Sequence, residues 1–220
     1  MRAQTTCKLV VLISGSGSNL QAIIDATKNS ATIQVSAVIS NKADAYGLVR
    51  AQSADIPTHI LNHKDYAGRE AFDQALVHCI DQYQPDLVVL AGFMRILTPV
   101  FTEHYTGRLF NIHPSLLPKH KGLNTHARAL EEGDAQHGCS VHFVTAELDG
   151  GPVVIQAKLD IKSTDTANTL AQRVHLLEHQ IYPMAIQWFA QQRLQLTAQG
   201  ASLDGELLPV TGHTLYNKEI

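Results

Sequence analysis

The chain has few cysteines and no long apolar run, and each scarcity excludes a class of protein. Its 220 residues include three cysteines, Cys7, Cys79 and Cys139, an odd number without paired spacing. We therefore expect free thiols and a reduced, cytoplasmic setting rather than a disulfide framework. No apolar run reaches the ~18–20 residues of a membrane span, so a membrane is not an expected partner. Residues 1–8 are short and polar and predict no signal peptide.

An excess of positive charge is also missing. The chain carries 17 Lys and Arg against 20 Asp and Glu, a net charge of −3. A protein that binds nucleic acid through a broad basic face has the opposite balance, so nucleic acid is not an expected partner. With 45% hydrophobic and 17% charged residues, the composition is ordinary for a globular protein. The length suits a single domain over residues 1–220. The sequence does not distinguish a monomer from a homodimer.

Alternating strand and helix patterns predict an α/β fold. Residues 8–14 are a short apolar, β-branched run, typical of a buried parallel strand, and a glycine turn and a helix follow. Further strands are predicted at 33–40, 57–61, 86–91, 109–113, 138–145 and 153–159, and further helices at 47–54, 69–84, 99–105, 125–132 and 166–192. The expected fold is a single-domain, Rossmann-like, mainly parallel sheet flanked by helices, with added antiparallel strands.

Two features of the C-terminal part carry separate expectations. Pro183 lies inside the predicted last helix and is expected to kink it. The final twenty residues are mixed and polar, and we expect them to fray.

The glycine turn after the first strand, Gly15-Ser16-Gly17-Ser18-Asn19, is a candidate phosphate site. It is not a dinucleotide fingerprint, because Leu20 occupies the place of the third glycine and no acid ends the second strand. No Walker Gly-Lys-Ser/Thr pattern is present either. A glycine loop at a helix N-terminus remains, and its free N–H groups suit a single phosphate, with Ser18 and Asn19 as further donors. The alternative is a tight turn in which Ser or Asn caps the helix.

The segment Asn111-Ile112-His113-Pro114 places an amide and an imidazole two residues apart. In a strand this spacing puts both side chains on one face, about 6.5–7 Å apart along the chain. His113 also ends an apolar strand, which is where α/β proteins place their ligands. Asp149 stands at a Gly-Gly-Pro turn, and its alternative role is to cap that turn. A donor, a proton-transfer group and a carboxylate are what acyl transfer requires.

Other charged residues have two interpretations each. Arg95 lies among apolar residues directly after a buried strand, a context that suits a planar, carboxylate-bearing ligand. The alternative for Arg95 and Arg69 is a solvated surface charge. Glu178, on the last long helix, is by default a solvated residue.

A metal site competes for the histidine-rich central region, which contains His113, His120, His126, His137 and His142. Neither HExxH nor CxxC spacing supports a metal, so we expect none.

Taken together, these motifs resemble one enzyme family. The resemblance is carried, in order and spacing, by VVLISGSGSNLQAIID, SNKADAYGL, VVLAGFMRIL, NIHPSLLPKHKG, HFVTAELDGGPVVIQ and EHQIYP. These segments are similar to the folate-dependent phosphoribosylglycinamide formyltransferases of purine synthesis. HPSLLP and LDGGP mark the wider formyltransferase group, and GSGSN narrows the resemblance to this family. The match runs from about Leu9 to about Leu196 and does not cover the first residues or the tail after about residue 200.

The resemblance implies a reaction. A formyl group would pass from 10-formyltetrahydrofolate, the co-substrate, to the amine of 5′-phosphoribosylglycinamide (GAR), without a metal. Asn111 would hydrogen-bond the oxyanion of the tetrahedral intermediate. His113 would stabilise the same oxygen as an imidazolium and take part in proton transfer to the departing folate nitrogen. Asp149 would favour the charged form of His113.

The resemblance also implies binding residues for the two substrates. The phosphate and ribose end of GAR would contact Gly17, Ser18, Asn19 and Glu178. The folate would contact Arg69, Met94, Arg95, Ile96, Leu97, Thr145, Ala146, Glu147 and Leu148. The chain would thus have a phosphate-binding half at 8–110, a catalytic and folate-binding half at 111–196, and a variable tail at 197–220.

Other functions predict other features. A formyltetrahydrofolate hydrolase would carry an additional N-terminal domain, whereas the first predicted strand begins at residue 8. A formyltransferase for methionyl-tRNA would carry an additional basic domain, and a sugar amine is another possible acceptor. A phosphate sensor without chemistry would keep the glycine loop and leave Asn111, His113 and Asp149 without a role. An NAD-dependent oxidoreductase is disfavoured by the missing third glycine and acid.

Overall fold

The structure, a computed structural model, describes residues 6–217. The chain divides into two compact units between Phe110 and Asn111. The larger of its two sheets has eight strands, and a second sheet has three.

The first unit is a parallel arrangement of strands with helices. Its strands are β1 (Cys7–Ile13), β2 (Ile33–Ser40), β3 (Thr58–Ile60) and β4 (Leu87–Leu90), and its helices are α1 (Ser18–Thr27), α2 (Tyr46–Ser53), α3 (Arg69–Asp81) and α4 (Pro99–His104). The strand order is β3-β2-β1-β4, with parallel pairing throughout. All of β4 and nearly all of β1 are buried, as a parallel strand covered on both faces requires.

The helix α3 ends earlier than predicted. Its buried stripe is Phe72, Leu76 and Ile80, at the spacing of one helix face. The predicted end at residue 84 is wrong, because the helix stops at Asp81. Gln84 has a φ of +48°, a left-handed conformation through which a right-handed helix cannot continue.

The second unit contains the antiparallel strands. Its strands in the larger sheet are β5 (Leu109–His113), β6 (Gln136–Phe143), β7 (Val153–Asp160) and β11 (His213–Tyr216), in the order β5-β6-β7-β11. The pairing of β6 with β7 is antiparallel, and that of β7 with β11 is parallel. The helices are α5 (Thr125–Glu131) and α6 (Ala167–Ala190), and α6 remains helical on both sides of Pro183. The predicted α/β class, mainly parallel with added antiparallel strands, is confirmed.

The tail does not fray within the described residues, so that prediction is wrong. Residues after α6 form the antiparallel strands β8 (Leu194–Thr197), β9 (Gly200–Leu203) and β10 (Glu206–Leu207), and then β11. Gly212 makes the approach of β11 possible, because a Cβ there would lie 2.6 Å from the carbonyl carbon of Val154. The ring of His213 then packs edge-on against Trp188, with centroids 5.4 Å apart. Backbone pairing and these contacts order a segment of polar composition.

Among residues 6–217, no helix has the length and apolar character to cross a bilayer.

Candidate active site

Strand β5 presents Asn111 and His113 on one face. The strand begins at Leu109 and ends at His113, as predicted. Because successive side chains of a strand alternate, residues 111 and 113 share a face, opposite Phe110 and Ile112. Phe110 is fully buried in the core, whereas Asn111 is half-buried and His113 lies at the end of the strand. The apolar face of β5 therefore anchors the strand, and the polar face carries reactive groups.

Each ring nitrogen of His113 faces an acceptor oxygen. Nδ1 lies 3.5 Å from Oδ2 of Asp149. Nε2 lies 2.9 Å from the carbonyl oxygen of His120. The side chains of His113 and Asp149 are only 7% and 8% exposed, so solvent screens their interaction little. A proton on either nitrogen of His113 thus has a protein partner.

The turn after residue 148 aims the Asp149 carboxylate. Asp149 has a φ of +48°, and its Oδ2 accepts a hydrogen bond of 2.9 Å from the N–H of Gly122. A Cβ at Gly151 would lie 1.9 Å from the carbonyl oxygen of Phe143, so this close approach requires glycine. The carboxylate of Asp149 therefore contacts Gly122 and His113, which are distant in sequence, in addition to any role in its own turn.

His142 on β6 also lies beside Asn111 and Asp149, although its only expected role from the sequence was that of a metal ligand. Its Nε2 lies 3.1 Å from Nδ2 of Asn111 and 3.8 Å from Oδ1 of Asp149. Its Nδ1 lies 2.8 Å from the carbonyl oxygen of Phe143. Burial lowers the pKa of His142 well below its usual range, and this effect outweighs the nearby Asp149 carboxylate, which raises the pKa.

A neutral His142 determines which way the Asn111 amide points. With Nδ1 donating to the carbonyl of Phe143, Nε2 is unprotonated and accepts a hydrogen bond from the Asn111 amide nitrogen. The amide nitrogen carries two N–H groups, so its second N–H can donate to a ligand. The sequence shows His142 as one of 12 histidines, and only the packing of β5 and β6 brings it to Asn111.

The glycine loop leaves the N-terminus of α1 without a side-chain cap. Gly17 is the N-cap residue and adopts a left-handed conformation, with a φ of 70°. No side chain caps this helix, so the structure does not adopt the Ser or Asn capping alternative. The N–H groups of the first turn, which includes Ser18 and Asn19, lie where an anion is favoured by the helix dipole.

Contacts with α2 hold the glycine loop in place. A Cβ on Gly17 would lie 2.6 Å from Cα of Gly47, so the two backbones touch. The N–H of Gly47 donates to the carbonyl oxygen of Gly15 at 3.0 Å. Nε of Arg50 donates to the carbonyl oxygen of Ser16 at 2.9 Å. The loop is thus preformed, and the guanidinium group of Arg50 is hydrogen-bonded to its backbone.

Two of the predicted folate segments meet in the first unit. Exposed Arg69 donates from its guanidinium to the carbonyl oxygen of Ile96 at 2.9 Å. Met94 and Ile96 are 65% and 57% exposed, whereas Leu97 is buried. Nε of the half-buried Arg95 is itself buried and has no hydrogen-bond partner. This segment thus combines exposed apolar side chains with two arginines, which suits an aromatic, anionic ligand.

The remaining predicted residues lie in the second unit. Ala146, Glu147 and Leu148 are exposed and Thr145 is half-buried, on the turn that leads to Asp149. Glu147 forms an ion pair with Lys121, with 2.7 Å between Nζ and Oε1. Glu178 is 4% exposed on α6, so the default interpretation of a solvated helix residue is wrong. A carboxylate is retained at such depth only when structure or function requires it.

Comparison with known proteins identifies the relatives of this chain. Residues 7–186 match the family model described as formyl transferase. The chain is 59% identical to the phosphoribosylglycinamide formyltransferase of Escherichia coli (strain K12), over 93% of this chain and 97% of that protein. It is 47% identical to the human trifunctional purine biosynthetic protein adenosine-3, over 88% of this chain and 19% of that protein.

A solved structure shares the fold. The phosphoribosylglycinamide formyltransferase of Coxiella burnetii, solved in complex with CHES, superposes with a TM-score of 0.92 and 55% sequence identity, covering 96% of this chain and 99% of that one. The family model matches residues 7–186, and the identity is 59% to the Escherichia coli protein and 55% to the Coxiella burnetii protein over almost the full length of each. The chain therefore belongs to the formyl transferase family and, within it, to the phosphoribosylglycinamide formyltransferases.

Proposed function

We propose that this enzyme transfers the formyl group of 10-formyltetrahydrofolate to the amine of GAR, producing formyl-GAR and tetrahydrofolate in de novo purine (IMP) biosynthesis. The observation that carries the proposal is the group formed by half-buried Asn111 and the buried side chains of His113, His142 and Asp149, in which ring nitrogens, an amide and a carboxylate lie within 3.8 Å of their neighbours. These groups suit acyl transfer to an amine, and 10-formyltetrahydrofolate is a co-substrate in a reaction that requires no metal.

The reaction exchanges one carbon–nitrogen bond for another. The neutral primary amine of GAR attacks the formyl carbon and forms a new C–N bond, which places negative charge on the formyl oxygen. Collapse of this tetrahedral intermediate breaks the bond to the folate nitrogen. The amine loses a proton and the departing nitrogen gains one, so the enzyme needs an oxyanion donor and a proton carrier. No serine or cysteine nucleophile takes part.

Asn111 is the proposed oxyanion donor. One of its amide N–H groups is held by His142, and the second donates to the developing negative charge. A donor that is oriented before the reaction stabilises the transition state without reorganisation. Removal of one such donor typically reduces kcat by about 10²–10³-fold.

His113 and Asp149 are the proposed proton-transfer pair. The Asp149 carboxylate lies 3.5 Å from Nδ1, where it can orient the imidazole ring and hydrogen-bond a proton on that nitrogen. As an imidazolium, His113 would turn one N–H away from its protein acceptor, the carbonyl oxygen of His120, to stabilise the oxyanion and to protonate the folate nitrogen. The low exposure of both side chains strengthens their interaction, because solvent screens it little.

The resemblance to the family also assigns residues to the phosphate end and to the ribose and amine of GAR. The phosphate of GAR is bound by Gly17, Ser18 and Asn19, which the uncapped start of α1 supports. Glu178 is assigned to the ribose and amine of GAR, and its burial supports a functional role.

The folate is assigned to two surfaces. The first comprises Arg69, Met94, Arg95, Ile96 and Leu97, and it is supported by the contact of Arg69 with Ile96. The second comprises Thr145, Ala146, Glu147 and Leu148, which directly precede Asp149 in sequence.

The test is a formyl-transfer assay followed by absorbance, with and without GAR. Turnover that depends on GAR supports the proposal. Turnover without GAR would indicate a formyltetrahydrofolate hydrolase, and binding of GAR without turnover would indicate a sensor. Single Ala substitutions at Asn111, His113 and Asp149 should each reduce kcat strongly while thermal unfolding stays near that of the parent. Near-parental turnover of His113→Ala would falsify the catalytic assignment.

Three further proposals concern the division of the chain, its cellular location and its oligomeric state. The phosphate-binding half is assigned to residues 8–110, the catalytic half to 111–196 and the variable tail to 197–220. A cytoplasmic location is supported by the free thiols of Cys7, Cys79 and Cys139. The active species is a monomer or a homodimer, which sedimentation analysis would distinguish.

A further inference from the structure

Three side chains able to bind metals converge outside the groups described above. They are His120, Glu132 and Asp134, whose ligand atoms all lie within 4.8 Å of one another. His120 lies in the loop after β5, and the two acids follow α5. We call this set the His120 cluster. None of its side chains is assigned a chemical role in the formyl transfer proposed above, and neither of its acids is part of a sequence motif.

One nitrogen of His120 has a partner and the other does not. The His120 side chain is 2% exposed, and its Nε2 lies 2.7 Å from Oδ2 of Asp134. Nδ1 is buried without a hydrogen-bond partner. It points toward Oε1 of Glu132, which is 3.6 Å away, too far for a hydrogen bond. With Nε2 donating to Asp134, a neutral His120 directs an unprotonated Nδ1 at a carboxylate. Two electron-rich atoms then face each other, an arrangement that a cation between them would stabilise.

The distances suit a metal ion at this position. Two ligands at ~2.0–2.1 Å from a tetrahedral Zn²⁺ are separated by about 3.4 Å. The separation of 3.6 Å between Nδ1 of His120 and Oε1 of Glu132 differs from this by a few tenths of an ångström. A metal-bound histidine usually donates its other N–H to a carboxylate, which fixes the ring. Asp134 already occupies that position behind His120.

Charge and space also suit a cation. Lys119 forms an ion pair with Oδ1 of Asp134, which leaves Oδ2 for His120. With His120 neutral, Lys119, Glu132 and Asp134 together carry a net charge of −1. A cavity of about 290 Å³ is lined by Leu116, Lys119, His120, Asp134, Ala135, Gln136 and His137. This cavity borders His120 and Asp134 and has room for water molecules beside the cluster. Glu132 is half exposed, so an ion can reach the cluster from solvent.

We propose that Nδ1 of His120 and the carboxylate of Glu132 bind a divalent transition-metal ion, with Asp134 orienting the imidazole. Water completes the coordination, and the site is separate from the catalytic chemistry. The backbone carbonyl of His120 accepts the hydrogen bond of His113, so the ion also steadies the segment that contacts the catalytic histidine. The competing arrangement is a proton on Nδ1 and a direct ion pair between His120 and Glu132.

Zn²⁺ is the probe, used with the full chain after removal of any affinity tag. Zn²⁺ binding is measured by competition with a chromophoric chelator, and Co²⁺ is used to record ligand-field absorption. We expect saturable binding of a single ion and a higher Tm with Zn²⁺ than with Mg²⁺. Glu132→Gln should abolish this binding. Asp134→Asn should weaken it by about 10- to 100-fold, the usual effect of losing the carboxylate behind a metal-bound histidine.

The control is Glu131→Gln, which removes an exposed carboxylate next to Glu132 and should leave Zn²⁺ affinity unchanged. Glu132 is half exposed at the end of α5, so its substitution should not prevent folding even if His120→Gln does. Absence of saturable binding, or equal affinity in Glu132→Gln and the parent, would overturn the proposal. Formyl transfer is measured separately, so failure of the metal proposal is distinguishable from failure of the enzymatic one.

Discussion

Substitutions of His142 test whether this residue orients the Asn111 amide, because its two ring nitrogens have different hydrogen-bond partners. Nε2 accepts from the Asn111 amide, and Nδ1 donates to the carbonyl of Phe143. The amide of asparagine can replace Nδ1, and the amide of glutamine can replace Nε2. We expect His142→Asn to keep the structural contact and lose the contact with Asn111. His142→Gln should do the reverse.

The magnitudes follow from one hydrogen bond in each case. Loss of the contact with Asn111, which is 3.1 Å long, removes a hydrogen bond that orients the amide. Such a bond contributes about 0.5–1.5 kcal/mol, so kcat of His142→Asn should fall by about 2- to 13-fold. His142→Gln leaves the buried carbonyl of Phe143 without its donor, which costs about 1–3 kcal/mol of unfolding free energy. Its Tm should fall by several degrees while kcat stays close to the parental value.

The assay combines steady-state formyl transfer with thermal unfolding, and a double-mutant cycle completes it. In an Asn111→Ala background, His142→Asn should cause no further loss of kcat, because its effect operates through Asn111. Multiplicative effects of the two substitutions would refute this reasoning. So would a loss of kcat in His142→Gln as large as that in His142→Asn.

Three other outcomes are expected. Gly47→Ala should raise KM for GAR more than it lowers kcat, because its Cβ would lie 2.5 Å from Cδ1 of Ile13 and 3.2 Å from Cα of Gly17; Gly68→Ala is the kinetic control, since a Cβ there meets no atom within 4 Å. Asp149→Asn should lower kcat by about 10²-fold or more at unchanged Tm, and an effect confined to KM would contradict the proton-transfer role. Burial lowers the pKa of His137 from 6.5 to about 4, so the unfolded chain binds more protons between these values. The unfolding free energy should therefore be fully retained above about pH 6.5 and decrease as pH falls, by about 2 kcal/mol at pH 5 for this residue. Denaturant titrations of His137→Gln should show a weaker pH dependence than the parent, whereas exposed His78→Gln should match the parent.

Local patterns predicted most elements of this fold. The buried strands β1, β2, β4 and β5 are short, apolar runs bounded by polar or glycine residues, and a parallel strand covered on both faces requires such runs. The predicted range of α3 is too long, because sequence periodicity does not reveal the left-handed φ of Gln84. The polar composition of the tail predicts fraying, and that prediction is wrong because β11 pairs with β7, a contact between residues far apart in sequence.

The sequence alone determined the residue types of the candidate active site. The i, i+2 spacing of Asn111 and His113 on a strand and the carboxylate before two glycines are local features, and local features can be read from a single chain. Only the tertiary structure decided how these groups meet. It brings His142 to Asn111, buries Glu178 on α6, and directs the carboxylates of Glu132 and Asp134 at His120. The reason is physical: hydrogen bonds and burial depend on contacts between distant segments, and composition and periodicity carry no information on which distant side chains become neighbours.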